Sequence, residues 1–156
     1  MAHLAFHEDL RCDPVYPQSG YVWSDCLWLQ DPDYAATATF VARFVKGILR
    51  NEKVDYGLLP DLDSFAEGEY IARHPLVGLA CASYVAAVLK GAGFDVIDLS
   101  TWKYRPEDDV WSDQVLDMLR RYAPARAAGL EGQRAPFRVR PDEVVRGHRA
   151  QPARLL

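Results

Sequence analysis

The chain has 156 residues, 49% of them hydrophobic, which suits one domain with a sizeable core. No run of eighteen apolar residues offers a membrane span, and the start (Met1-Ala2-His3-Leu4-Ala5-Phe6-His7-Glu8-Asp9) lacks the basic flank and apolar run of a secretory signal, so a cytoplasmic protein is expected. The net charge of −4 divides unevenly: from Arg120 onward nine arginines face three acids, while the first 119 residues carry nine basic side chains against nineteen acidic ones.

Taken along the chain, residues 3–6 read as a short strand, followed by turn material at Asp13-Pro14 and Pro17-Gln18-Ser19-Gly20. Tyr21-Val22-Trp23 and Cys26-Leu27-Trp28-Leu29 are strand-like. A helix is expected from Asp33 to Arg50, capped by Asp31 with Pro32 at its first position, because Tyr34, Ala38, Val41, Phe44, Val45, Ile48 and Leu49 recur at helical spacing. Residues 51–70 read as loop. A second helix is expected from Leu79 to Ala92, ended by Gly93 in the left-handed position. Val96-Ile97-Asp98-Leu99 looks like a buried strand. A third helix covers Glu107 to Tyr122, with Val110, Trp111, Val115, Met118, Leu119 and Tyr122 turned inward.

Residues 123–136 read as a surface loop, Phe137-Arg138-Val139-Arg140 as an edge strand, and Pro141-Asp142-Glu143 as one turn of helix. The expected fold is α+β: a single domain over residues 1–156, with a small antiparallel sheet packed against helices and an Arg-rich segment from about residue 120. That segment lacks the interleaved aromatics of single-strand binders, so it is expected to fold back on the acidic body or stay solvated rather than bind nucleic acid.

The three cysteines, Cys12, Cys26 and Cys81, are odd in number and form no CxxC pair, which argues against a disulfide framework or a zinc knuckle. Neither a metal nor a cofactor is expected. Cys81 stands apart because it lies in the first turn of the second helix. Unpaired N–H groups and the helix dipole favour a thiolate there, and the same N–H groups can steady an oxyanion. Such a nucleophile needs a base, usually histidine, and a group to orient it.

Cys81-Ala82-Ser83-Tyr84-Val85, with Leu89 and Ala92-Gly93-Phe94, resembles the cysteine helix of the circularly permuted papain-like hydrolases of the NlpC/P60 superfamily. That helix reads Cys-Ser-x-x-Val, then Leu, then Ala-Gly and an aliphatic residue; here Ala82 stands where the family has serine, although Ser83 follows. His3-Leu4-Ala5-Phe6 resembles the family's His-aliphatic strand, and Asp13-Pro14-Val15-Tyr16 with Gly20-Tyr21-Val22 the polar and Gly-Val elements after it. Asp55-Tyr56 resembles its Tyr-Asp element with the two residues reversed, and Val139-Arg140-Pro141-Asp142-Glu143-Val144 its closing Pro-Asp-acid element. The resemblance implies a permuted papain-like fold in which Cys81 attacks a carbonyl, His3 takes its proton and Asp13 orients His3. It also implies an amide, ester or thioester substrate such as a cell-wall-type peptide or an acyl lipid. The near-terminal position of His3 and the departure at Ala82 leave a second expectation, a binding protein that keeps the fold without activity.

His74, seven residues before Cys81, is the rival base. His7 stands four residues after His3 and on a strand would face the other way; on a helix the two would share a metal with Glu8 or Asp9. His148 lies in the basic segment. Asp61 and Asp63, with Glu67 and Glu69, lack the ligand series of a calcium loop. Tyr21, Trp23, Trp28, Tyr34 and Phe40 are candidates to line a peptide or lipid groove, or simply to form core.

Overall fold

The computed structural model describes residues 2–14, 32, 35–51, 53–71, 74–135 and 137–144. Their arrangement is mixed α+β, with two small antiparallel sheets among the helices.

Strands β1 (Ala2–Phe6) and β2 (Asp9–Cys12) form a hairpin in which His3 pairs with Arg11 and Leu4 with Leu10, with a register shift between Leu4 and Phe6. Glu8 makes the turn at a φ of 54°. Its N–H donates to the Val54 carbonyl at 2.9 Å, which ties the hairpin to the middle of the chain. Helix α1 spans Ala35–Asn51; the expected start at Asp33, the expected cap Asp31 and Tyr34 lie outside the described residues. Ile48 is its fully buried anchor, and Phe44 packs between Phe40 and Phe65. The stretch read as loop holds a tiny hairpin of its own, β3 (Phe65–Ala66) and β4 (Glu69–Tyr70).

Helix α2 (Cys81–Gly91) is the centre of the core. Its inward positions are mostly small (Ala82, Ser83, Ala86, Ala87, Val88), so neighbouring elements approach closely, and Tyr84 is the one large side chain buried among them. β1 and β3 both pack against it. Its end follows the local signal: Gly93 has a φ of 93°, and the Phe94 N–H returns to the Leu89 carbonyl at 2.8 Å, as a glycine-terminated helix requires.

Four expectations change downstream. Val96 and Ile97 are buried, but no strand forms; extended backbone leads into a short 3₁₀ turn at Leu99–Thr101. Helix α3 spans Asp109–Tyr122 and buries Ser112, Val115, Leu116 and Leu119. Val110, Met118 and Tyr122 are exposed, so the buried stripe is rotated from the expected one. Residues 124–130 are not loop but helix α4 (Pro124–Leu130), with Pro124 in the first turn and Ala127 and Leu130 buried against α3. Phe137-Arg138-Val139-Arg140 is not a strand; it is held by side chains, as described next, and one helical turn at residues 141–144 follows as expected.

Several described arginines of the basic segment pair with acids. Arg120 pairs with Glu131 and Asp117, and Arg134 with Asp113. Arg138 lies over the Trp111 ring at 5.0 Å. The densest knot surrounds Asp108, whose side chain is 3% exposed. It accepts from Arg105 Nε at 2.9 Å, Arg140 Nη2 at 2.7 Å and the Arg138 N–H at 3.3 Å. Arg105 also pairs with Glu143 at 2.5 Å and donates to the Arg138 carbonyl. These bonds fasten residues 137–144 to the start of α3 without a sheet.

Candidate active site

Cys81 is the first residue of α2, and its thiol is exposed and not disulfide-bonded. The first bond of the helix ladder runs from the Tyr84 N–H to the Ala80 carbonyl at 2.8 Å. The N–H groups of Cys81, Ala82 and Ser83 therefore have no partner within the helix. Ala80, at the cap position, has no side-chain acceptor to offer them. Ser83 supplies the reverse half of a capping box: its Oγ accepts from the Ala80 N–H at 2.8 Å and donates to the Ala80 carbonyl at 3.1 Å. The serine one place later than the family pattern thus fixes the backbone of the residue before the cysteine.

The approach to Cys81 is a backbone pair. Tyr56 bridges Leu79 and Leu59 bridges Val77 in parallel; the Leu79 N–H donates to the Asp55 carbonyl at 2.8 Å, and the Gly78 N–H to Leu59 at 3.1 Å. The Tyr56 ring is buried against Phe6, with centroids 5.5 Å apart. Burial pushes its hydroxyl pKa up to about 12.

His3 and Asp13 are brought together, with Nε2 and Oδ2 3.6 Å apart. The other ring nitrogen of His3, Nδ1, is buried and has no hydrogen-bond partner. Pairing across the hairpin sets His3 with Arg11 on one face of β1 and Leu4 with Leu10 on the other, and Leu4 is the fully buried member. His74, the rival base, is exposed in the loop, and its Nδ1 accepts the Leu76 N–H at 3.1 Å. His148, Cys26, Tyr21, Trp23, Trp28 and Tyr34 lie outside the described residues; Phe40 is 52% exposed on α1.

Two features escaped the sequence reading. The first is another imidazole–carboxylate pair: His7 Nδ1 lies 3.7 Å from Asp55 and 3.4 Å from the Tyr56 N–H. With Glu8, these side chains form a group whose ligand-type atoms lie within 4.8 Å of one another. Glu8 is also paired with Lys53 at 3.1 Å, so the group is largely satisfied within the chain. The doubled His3/His7 spacing and the Asp55-Tyr56 element were the only signals for it. The second is Arg126, discussed below. Of the acidic loop, Asp63 pairs with Lys90 at 2.9 Å, and its N–H bonds the Asp61 carboxylate. These residues border an open cavity of about 690 Å³ with Val96, Ile97 and Asp98 at the far end of α2 from Cys81.

No family model, curated protein or solved structure matches this chain. Among the described residues, no helix is long and apolar enough to cross a membrane.

Proposed function

We propose that the chain is a cysteine-dependent hydrolase or acyltransferase of the permuted papain-like type, acting on an amide, ester or thioester bond with Cys81 as the nucleophile. The observation that carries this reading is an exposed thiol at the first position of a buried helix, beside first-turn N–H groups that have no intrahelical acceptor. His3 is the base of the reading and Asp13 its orienting carboxylate. Asp13 Oδ2 lies 3.6 Å from Nε2, while Nδ1 is buried without a hydrogen-bond partner, so the reading requires the ring and the Cys81 thiol to come together when substrate binds. Attack of the thiolate on the carbonyl carbon expels the amine, alcohol or thiol, which takes the proton from His3, and water or a second acceptor then releases the acyl group. The expected substrates are cell-wall-type peptides or acyl lipids.

A second reading, a binding protein that keeps this fold without activity, draws on one specific observation. His3 lies on the face of β1 opposite Leu4, the residue packed into the core. One experiment separates the two. Iodoacetamide labelling followed by mass mapping should modify Cys81 faster than Cys12 or Cys26, and His3→Ala should slow the labelling of Cys81 alone. Equal labelling of the cysteines, or a Cys81 rate indifferent to His3→Ala, favours the inactive protein.

A further inference from the structure

Arg126 sits on α4, about fifty to seventy residues in sequence from the groups it touches. Its Nε donates to the Tyr56 carbonyl at 3.0 Å, its Nη2 to the Val77 carbonyl at 2.7 Å and its Nη1 to the Pro75 carbonyl. The other ion-pairing arginines of the basic segment, such as Arg120 and Arg134, reach carboxylates; this one spreads its fork across main-chain acceptors on two separate segments. Both segments belong to the approach to Cys81. Tyr56 bridges Leu79, two residues before the cysteine, and Pro75–Val77 is the stretch that runs into Gly78, Leu79, Ala80 and the helix start.

The backbone has made room for this fork. A Cβ on Gly78 would lie 2.7 Å from Arg126 Nη2 and 2.8 Å from the Asp55 carbonyl oxygen. A Cβ on Gly57 would lie 2.8 Å from the Gly78 Cα and 3.0 Å from Nη2. Two glycines thus face each other across the pair of strands that the guanidinium bridges, and neither tolerates a side chain while the arginine is in place. A lysine offers three donors at one point and cannot span three carbonyls in a plane.

We infer that Arg126 is a positioning residue for the Cys81 site: by holding Tyr56 against the segment that enters α2, it sets where the thiol and the first-turn N–H groups stand. The inference rests on Cys81 being the nucleophile. It does not make Arg126 a catalytic residue, since the guanidinium acts through the backbone.

The test compares wild type, Cys81→Ala, Arg126→Lys and Arg126→Ala in hydrolysis of p-nitrophenyl acetate, at a temperature where circular dichroism shows each variant folded. The expected result is Cys81-dependent turnover in which Arg126→Ala lowers kcat about 100-fold, as a misplacement on the order of 1 Å does, with little change in KM. Arg126→Lys stays low as well, and millimolar ethylguanidinium restores part of kcat in Arg126→Ala but not in Arg126→Lys. Cys81-dependent turnover that is unchanged in the folded Arg126 variants overturns the positioning role alone. A kcat loss that merely follows the loss of native signal, without rescue, also overturns it. Turnover that survives Cys81→Ala, or its absence in wild type, overturns the nucleophile reading and the positioning role together.

Discussion

Replacing Asp108 with asparagine tests whether the Arg-rich segment is structural. The side chain is 3% exposed and is bonded by Arg105, Arg140 and the Arg138 N–H. Asparagine keeps the shape and removes the charge. Removing one partner of a buried pair costs about 3–5 kcal/mol, because the other charge is left behind. Here the two arginines keep second partners, Glu143 at 2.5 Å for Arg105 and Glu107 at 3.5 Å for Arg140, so the lower end, about 3 kcal/mol, is expected. For a domain of this size each kcal/mol moves the midpoint about 2–4 °C, so Tm should fall by about 6–12 °C. Asp117→Asn is the control. Its carboxylate is 70% exposed and pairs with Arg120 at 2.7 Å, and its loss should cost no more than about 0.5 kcal/mol.

The pH dependence carries a sign. Burial raises the Asp108 pKa, but hydrogen bonds from Arg140 and then Arg105 outweigh it, so the folded value lies below the ordinary 3.8. A depressed carboxylate contributes stability that is present above the unfolded value and lost as pH falls through the folded one. Wild type and Asp108→Asn should therefore differ fully at neutral pH and converge below about pH 4. Thermal melts followed by circular dichroism from pH 3 to 7 measure both effects. An Asp108→Asn cost no larger than that of Asp117→Asn, or a gap that widens in acid, would refute the reasoning.

Two further substitutions probe the helix start. Gly78→Ala drives a Cβ into Arg126 and the Asp55 carbonyl, and overpacking of this kind costs about 1–3 kcal/mol; a urea-melt midpoint equal to wild type would show that the two segments are not clamped together. Ser83→Ala removes the acceptor for the buried Ala80 N–H and should cost about 1 kcal/mol in the same assay. If that N–H finds water instead, the loss will fall within error.

What the sequence disclosed was local. The second helix and its glycine stop depend on residues within one or two turns of each other; the stop formed where expected, and the helix begins at Cys81, two residues after the expected Leu79. On α3 the period was legible but its phase was not. Val110, Met118 and Tyr122 looked as apolar as Val115 and Leu116, and only the docking of α4 through Ala127 and Leu130 decides which stripe is covered. Val96 and Ile97 announced burial correctly, but a strand also needs a partner edge, which composition does not disclose. The Ala-Arg-Ala-Ala run of α4 favours helix on propensity, and Gly129 and Gly132 sit near its end, Gly129 still inside the last turn and Gly132 just beyond it.

The long-range contacts form a graded series. An arginine that seeks a carboxylate leaves some trace, since charge asymmetry between the two parts of the chain already suggested that the basic segment folds onto the acidic body or stays solvated. Arg134 and Arg140 reach the body, and Arg120 pairs with Glu131 of its own segment as well as with Asp117. An arginine that seeks carbonyls leaves none, because every residue carries one. The only sequence correlate of the Arg126 contact is the pair Gly57 and Gly78, and glycines in loops have many other causes. The side chain that joins Tyr56 to Pro75 and Val77 is therefore one that charge, period and motif did not single out.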